Sequence, residues 1–592
     1  MRLLLIALGS VTLASSLHAN NLPAYSCTLA GSVTRCTASD STINLRIAGT
    51  YRTGFYNVPA VEGNAFDART RRLFVANAAT QSIDVINLDG TLDPTAPTAL
   101  RAQFSIPVAN LLPPLSPAPG AVDPRRGAVP RSVAVGPEGL LAVVLQHVEA
   151  PMLPGKVALF AADSGPGAVP ITLLDTGYMP NMAAFTGDRR FLVVANQGEP
   201  TDDYLIDPPG SVTIVDLRNG AASAVATDVG FNAFNERKEA LVRKGVRISG
   251  PDLATADPTD TAAVAADLEP TNVAIGLGSR LGWVTLPENN AVAVLDISSK
   301  RFIDIRPFGY KDHRRHGNGL DGSDGDSGIR IQTWPVRGMY MPSQGAIYEF
   351  RKLPLLVYAN DGVRRNFPAW QDEIRIKDIP DAAFDPSNLP NFAQLKQANA
   401  IGPLKVSKVD GDVDGDGDFD HLYAFGARSF SIRLPDNTLL FDSGDDFERI
   451  TAKAMRETNG YFLFNTPDDE NRFDDTSDLR GPEPVAVAVG RISRRSYAFI
   501  GLERVGGVMV YDITNPLRPQ FQQYVNNRNF TINPKSVCQI GVPEDDVCRS
   551  TGDLSAEELL FIEQERSPTG EALLIVSNET SGSVTLFELP EY

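Results

Sequence analysis

Short apolar segments alternate with polar corners along almost the whole chain, and one pattern returns eight times. Each copy has an apolar strand, a turn, a second apolar strand, an acidic or amide-bearing corner, and an alternating strand that often ends in Asp. The third copy, residues 180–217, reads PNMAAF-TGDRR-FLVVAN-QGEPTDDYLIDPPG-SVTIVDL. The others start at Gly63, Arg131, Glu269, Gln344, Leu422, Glu483 and Leu559. A small antiparallel sheet cannot bury both faces alone, so repeated sheets must stack on their neighbours. The pattern therefore predicts an all-β protein, a β-propeller of eight repeat units. Seven blades is the alternative, because the fifth and sixth copies are the least regular. Residues 43–54, INLRIAGTYRTG, form an alternating strand with no blade of their own. This strand is expected to complete the last blade and close the ring, which removes the open sheet edges that invite aggregation.

The 592 residues are 43% hydrophobic and 21% charged, as in a folded soluble protein rather than a disordered one. The repeat assigns residues 43–592 to one propeller, with insertions at about 218–267 and 366–420. The first insertion contains FNERKEALVRKGVRI, a helical pattern ended at Gly245. The Pro-rich stretch at 111–130 reads as a surface connection. Residues 1–19, MRLLLIALGSVTLASSLHA, combine Arg2, an apolar run and small residues, the pattern of a secretory signal peptide. The run is shorter than a bilayer span, and the terminal LFELPEY carries no apolar tail. The expectation is a secreted or periplasmic monomer with no transmembrane segment and no C-terminal anchor. Four cysteines suit that compartment: Cys27 and Cys36 in the segment 20–42, and Cys538 and Cys548 near the end. Local pairing is the simplest connectivity, with pairing between the two ends of the chain as the alternative. A formal charge of −18 makes nucleic acid and anionic membrane surfaces poor partners and cations better ones.

Residues 410–420, DGDVDGDGDFD, are the sharpest chemical signal. With Asp412 as position 1, carboxylates stand at 1, 3, 5 and 9 (Asp412, Asp414, Asp416 and Asp420), with Gly417 at position 6. Ca²⁺ takes six to eight hard oxygen ligands, and closely spaced Asp side chains on a tight turn supply them. Position 12 is Tyr423 rather than a bidentate Glu, which excludes an EF-hand. The spacing resembles the calcium loops of extracellular repeats. A second stretch, NGLDGSDGDSG at 318–328, offers Asp321, Asp324 and Asp326 without that spacing, and reads equally as a solvated Gly-rich loop.

In a four-stranded blade, the loop leading into the innermost strand and the loop joining strands two and three emerge on one face. Aligning the copies puts Glu62, Glu269, Glu483 and Glu558 before innermost strands. It puts Glu199, Glu288, Asp361, Glu503 and Glu579 just after second strands. Arg131, Lys311, His313, Arg364 and Arg504 fall at or near the same rim. Carboxylates from separate blades would then share one mouth, a place for a second divalent metal held by Glu269, Glu483 and Glu503. Arg504 and Lys311 would hold an anionic small molecule or phosphate ester, and His313 would act as an acid. Against this, each acid is equally suited to holding its own loop through backbone N–H groups. No G-x-S-x-G, HExxH, CxxCH or P-loop occurs.

The motifs GTYRTG, VANQGEPTDDY, DLEPTNVA, GYKDHRRHGNGLDGSD, DVDGDGDFDHLYAFGARSFSI and FIGLERVGGVMVYDI resemble the choice-of-anchor I family. That family is similar to the mesenchyme-specific cell surface glycoproteins of echinoderms. The resemblance covers almost the whole mature chain. It implies an extracellular YVTN-like propeller, association with calcium, and in some members an alkaline phosphatase assignment. Where relatives tend to read ANEGDARDY this chain has ANDGVRRNF at 359–367, so acids give way to arginine. The leading functional expectation is a secreted calcium-binding propeller serving as a binding or surface-associated module. The alternative is a metal-dependent phosphoesterase on the acidic face.

Overall fold

The computed structural model describes residues 22–58, 60–93, 96–113, 127–136, 138–252, 262–460 and 463–592. Residues 1–19, read from the sequence as a signal peptide, and most of the Pro-rich stretch at 111–130 lie outside the described residues.

Seven sheets, antiparallel but for one edge strand, form the ring. Their innermost strands, which define blades 1 to 7, are Gly63–Asp67, Ala128–Val135, Pro180–Phe185, Val273–Ile275, Gly345–Phe350, Pro484–Ile492 and Ala556–Ile562. Each touches the next, and Ala556–Ile562 touches Gly63–Asp67, so the ring is closed. The second strands are the most apolar because both of their faces meet a neighbouring sheet. All six residues of Phe191–Asn196 are buried. Between blades 3 and 4, Phe191, Val193, Ile214, Val284 and Leu286 share one apolar cluster.

Eight repeat units resolve into seven blades because the fifth and sixth copies belong to one sheet. Blade 5 takes Gly345–Phe350 and Leu353–Asn360 from one copy, and Ser429–Arg433 and Leu439–Asp442 from the next. The strand Leu422–Phe425, read as the start of the sixth copy, instead runs parallel to Val336–Met339 in a separate five-stranded sheet. This accessory sheet also holds Tyr310–Asp312, Glu373–Arg375 and Lys405–Ser407, and has its own core around Leu320, Ile376, Phe384 and Val406. The chain leaves blade 5 at Gly362 (φ 102°) and returns at Gly426 (φ 80°). A Cβ on either would come within about 2.3 Å of the other's backbone or of Asp361, so only glycine permits the crossing.

The first insertion begins later than residue 218, since Val225–Gly230 is the outer strand of blade 3. The excursion that follows contains the helix Lys238–Lys244, which ends at Gly245 in the left-handed conformation (φ 97°).

The N-terminal strand Arg46–Arg52 pairs antiparallel with Ser583–Glu588, the last strand of the chain, and so completes blade 7. Thr98–Leu100 adds to its other edge. Ile43 and Leu45 are fully buried in one cluster with Phe587 and Leu589. Both disulfides are local. Cys27 and Cys36 face each other in the hairpin Tyr25–Ala30/Val33–Ala38, which extends blade 6. Cys538 and Cys548 tie the connection between blades 6 and 7.

A polar device recurs inside the blades, where an Asp collects the short hydroxyl and amide groups of neighbouring strands. Asp84 accepts from Asn77 (2.8 Å), Tyr51 (2.7 Å) and Ser105 (2.6 Å). Asp228 accepts from Ser211 (2.7 Å) and Asn196 (3.3 Å), and Asp553 from Ser583 (2.7 Å). Asp84 and Asp553 are buried and Asp228 is exposed; satisfying a carboxylate this way fixes strand register as well as its charge.

Leu45→Ala removes apolar contact from the seam that closes the ring and is expected to cost about 3 kcal/mol. Chemical denaturation checks this, and an unchanged midpoint would contradict the seam's role.

Candidate binding site at the mouth of the ring

Residues just before the innermost strands and just after the second strands converge on a central cavity of about 530 Å³. All seven blades contribute. Its lining includes Glu62 (blade 1), Arg131 and Gln146 (blade 2), Gln197 and Glu199 (blade 3), Thr271 and Asn272 (blade 4), Ser343 and Gln344 (blade 5), Val485 and Val487 (blade 6), and Glu557 and Glu558 (blade 7).

Two carboxylate trios stand beside this cavity; of their six residues, Glu199 alone lines it. Glu199 follows the second strand of blade 3, Glu269 precedes the innermost strand of blade 4, and Glu288 follows its second strand. One oxygen from each lies within 4.8 Å of the others. Asp361, Glu483 and Glu503, from blades 5 and 6, meet the same condition. The three mouth residues singled out in the sequence are thus divided: Glu269 belongs to the first trio, Glu483 and Glu503 to the second.

Arginines distinguish the two. In the first trio, Arg365 alone crosses from the blade 5 insertion to pair with Glu269. Its guanidinium also donates to the Asp267 carbonyl (2.8 Å) and lies 3.5 Å from the Asp267 carboxylate. In the second trio, Arg480 pairs with Asp361 (3.0 Å) and Glu483, while Arg504 pairs with Glu483 (3.1 Å), Glu503 (3.2 Å) and Asp468. Glu483 holds a left-handed backbone (φ 54°), uncommon for a residue with a Cβ, and its carbonyl accepts from Glu503 N–H at 2.8 Å. That strain is sustained by two arginines and a backbone bond, which makes Glu483 a fixed point of the rim.

Burial governs the acid strengths. It pushes Glu288 up to about 8, against the pull of Arg365 and with repulsion from Glu199 added. Burial likewise lifts Glu269 well above the carboxylate range against Arg365, and lifts Glu503 with repulsion from Glu483 added. Asp361 rises to about 6, with Arg480 opposing. Glu483 is the exception: burial raises it, but Arg480 and Arg504 together outweigh that and leave it lowered. Closely set carboxylates of this kind are stabilised by protons, arginines or a metal ion.

The residues assigned to bind an anion or donate a proton do not serve the mouth. Lys311 is fully buried and holds the Ala427 (2.7 Å) and Gly444 (2.8 Å) carbonyls and Asp442 (2.8 Å). It ties the accessory sheet to blade 5. His313 is also buried, and burial with the Lys311 charge lowers it to about 3, so it is neutral at physiological pH. Its Nδ1–H donates to the Asn318 carbonyl at 2.6 Å. Neither lines the cavity. Arg504 is at the rim, but three carboxylates occupy its guanidinium. Glu558 accepts the backbone N–H of Asn64 at 2.7 Å and so holds a loop.

Arg365 and Arg480 were not legible as site residues. Arg365 falls in ANDGVRRNF, just after the second strand of the fifth copy, where only its neighbour Arg364 was singled out. Arg480 does carry a signal in RGPEP, a cation three residues before a rim glutamate.

In the acidic loop, oxygens of Asp412, Asp414 and Asp420 converge within 4.8 Å. Asp412 accepts the backbone N–H groups of Gly415 (2.7 Å) and Gly417 (3.0 Å), and Gly417 takes φ 97°. Asp416 stands outside this trio, and its charge raises Asp414. The second acidic stretch is drawn inward: Asp321 and Asp326 surround Arg330, and Asp321 faces Glu448 and Asp474. Burial, with repulsion from Asp321, pushes Asp474 up to about 9.

The Choice-of-anchor I domain profile matches residues 62–516, and the chain belongs to that family. Gigasin-3a of Magallana gigas is 27% identical over 190 residues, covering 32% of this chain and 64% of that protein. The mesenchyme-specific cell surface glycoprotein of Strongylocentrotus purpuratus is 26% identical over 322 residues, covering 49% of this chain and 41% of that protein. The matched stretch thus spans less than two thirds of either relative. Among solved structures, a chain of Kuenenia stuttgartiensis hydrazine synthase overlays with a TM-score of 0.40 at 10% identity, covering 90% of this chain and 96% of that one. The β-propeller domain of Cps50 (Swd1) gives 0.39 at 8% identity, covering 92% and 99%.

Arg480→Ala leaves Asp361 and half of the Glu483 charge uncompensated in a buried setting, and is expected to cost about 3–5 kcal/mol. A thermal melt that is unshifted would contradict the pairing. Asp474 holds its proton to about pH 9 in the folded state, whereas the unfolded residue releases it near pH 4. The folded state therefore binds more protons in that window, so this stabilisation is complete below about pH 4 and is lost as pH rises toward 9. Asp474→Asn should flatten the fall in denaturation free energy between pH 5 and 9; an identical profile would contradict the assignment.

Proposed function

We propose that this protein acts outside the cytoplasm as a calcium-binding, surface-associated propeller that receives its ligand at the acid-lined mouth. The observation that carries the calcium assignment is the convergence of Asp412, Asp414 and Asp420 on a glycine-bent loop. The loop joins Lys405–Ser407 to Leu422–Phe425, so an ion there would brace the accessory sheet beside blade 5. Export is supported by the two disulfides and by the cell-surface designation of the sea urchin relative. Among the described residues, no helix is long and apolar enough to cross a membrane. The phosphoesterase alternative is weaker, because Lys311, His313 and Arg504 are already committed to protein partners.

Calorimetric titration of chelator-stripped protein with Ca²⁺ tests the reading. Binding with a raised melting temperature is expected, and Asp412→Asn/Asp414→Asn should weaken the loop site at least about tenfold. No heat and no thermal shift in the wild type would overturn it.

A further inference from the structure

The first trio differs from the second in its unmet charge. Five carboxylates, Glu199, Glu269, Glu288, Asp267 and Asp207, feel the charge of Arg365. Asp267 is otherwise satisfied, since it accepts from Gly250 N–H (2.6 Å) and the Asn289 amide (2.6 Å). Glu288 is not. Its side chain is buried, with the residue only 5% exposed, yet Glu288 Oε2 has no hydrogen-bond partner among the described residues. A buried carboxylate oxygen without a donor is costly unless a proton or a cation meets it. Glu199 completes the set from the cavity side, where Gln197 orients it through a 3.0 Å hydrogen bond.

We propose that Glu199, Glu269 and Glu288 form a divalent-cation site at the mouth, separate from the Asp412 loop, that takes a hard ion such as Ca²⁺ or Mn²⁺. Among the described residues Arg365 is the one cation in ion-pair contact with this trio, through Glu269; Arg131 acts on Glu199 only at longer range, and the Glu288 oxygen is left unmet. Three carboxylates do not fill the coordination shell of such an ion. The remaining positions face the cavity through Glu199, so oxygen groups of a ligand in the mouth complete the shell. The second trio is less deficient in charge, because two arginines form ion pairs with its three acids.

The test uses the full chain carrying Asp412→Asn/Asp414→Asn, which removes the loop site and keeps this inference independent of the calcium reading above. Calorimetric titration with CaCl₂ and separately with MnCl₂ should still show one ion per chain. Adding Glu288→Gln should weaken that binding at least about tenfold and abolish the accompanying thermal shift. Glu199→Gln, at the more exposed position, should do the same and decides the matter if Glu288→Gln fails to fold. Absence of any ion on the loop-deficient chain would overturn the proposal. So would binding unchanged by both glutamine substitutions.

Discussion

Ring closure is the constraint on which every other feature of this molecule depends. A single blade leaves apolar side chains such as Phe191, Val193, Val284 and Leu286 exposed on its faces; only the next blade covers them. The demand passes around the ring until blade 7 must meet blade 1. The chain meets it by lending its beginning to its end, with Arg46–Arg52 hydrogen-bonded to Ser583–Glu588. Some 500 residues are thereby placed under one topological restraint. The apolar cluster of Ile43, Leu45, Phe587 and Leu589 holds that join.

The mouth follows from closure rather than from any local motif. Acids as far apart in sequence as Asp361 and Glu503 are brought within 4.8 Å because equivalent corners of successive blades point to the same axis. Their mutual repulsion in a buried setting is then answered in two ways. Arg480 and Arg504 offset most of the charge of the trio of blades 5 and 6, while Arg365, just beyond the second strand of blade 5, offsets part of the charge of the trio of blades 3 and 4. Buried charge pairs add little net stability compared with apolar packing, and their value lies in fixing geometry. A rim of fixed carboxylates and arginines is a surface prepared for ions and for ligands rich in oxygen.

Repeat pattern made the blades, the closing strand and both local disulfides legible, because each follows from local alternation or short spacing. The blade count was ambiguous for a physical reason. Leu422–Phe425 carries the alternation of an innermost strand but is captured by Val336–Met339 before it can join the ring. Glu269, Glu483 and Glu503 were readable as rim acids from the alignment of repeats, but their division into two trios depends on the arginines. Arg365 lies in the ANDGVRRNF corner after a second strand, but its reach to Glu269 of the neighbouring blade is not written in the repeat. Lys311 and His313 misled because charged and polar residues near a rim also serve to anchor loops, and burial is invisible in composition. The carboxylates that collect Asn and Ser groups across strands, Asp84, Asp228 and Asp553, are not the Asp that ends each third strand in the repeat, so this device was not legible in the pattern.

Amide hydrogen exchange over the two ends of the chain tests the closed ring most directly. The account predicts that Arg46–Arg52 is protected to the same degree as Ser583–Glu588, with both segments exchanging together only on global unfolding. Rapid exchange of Arg46–Arg52 while Ser583–Glu588 stays protected would contradict it.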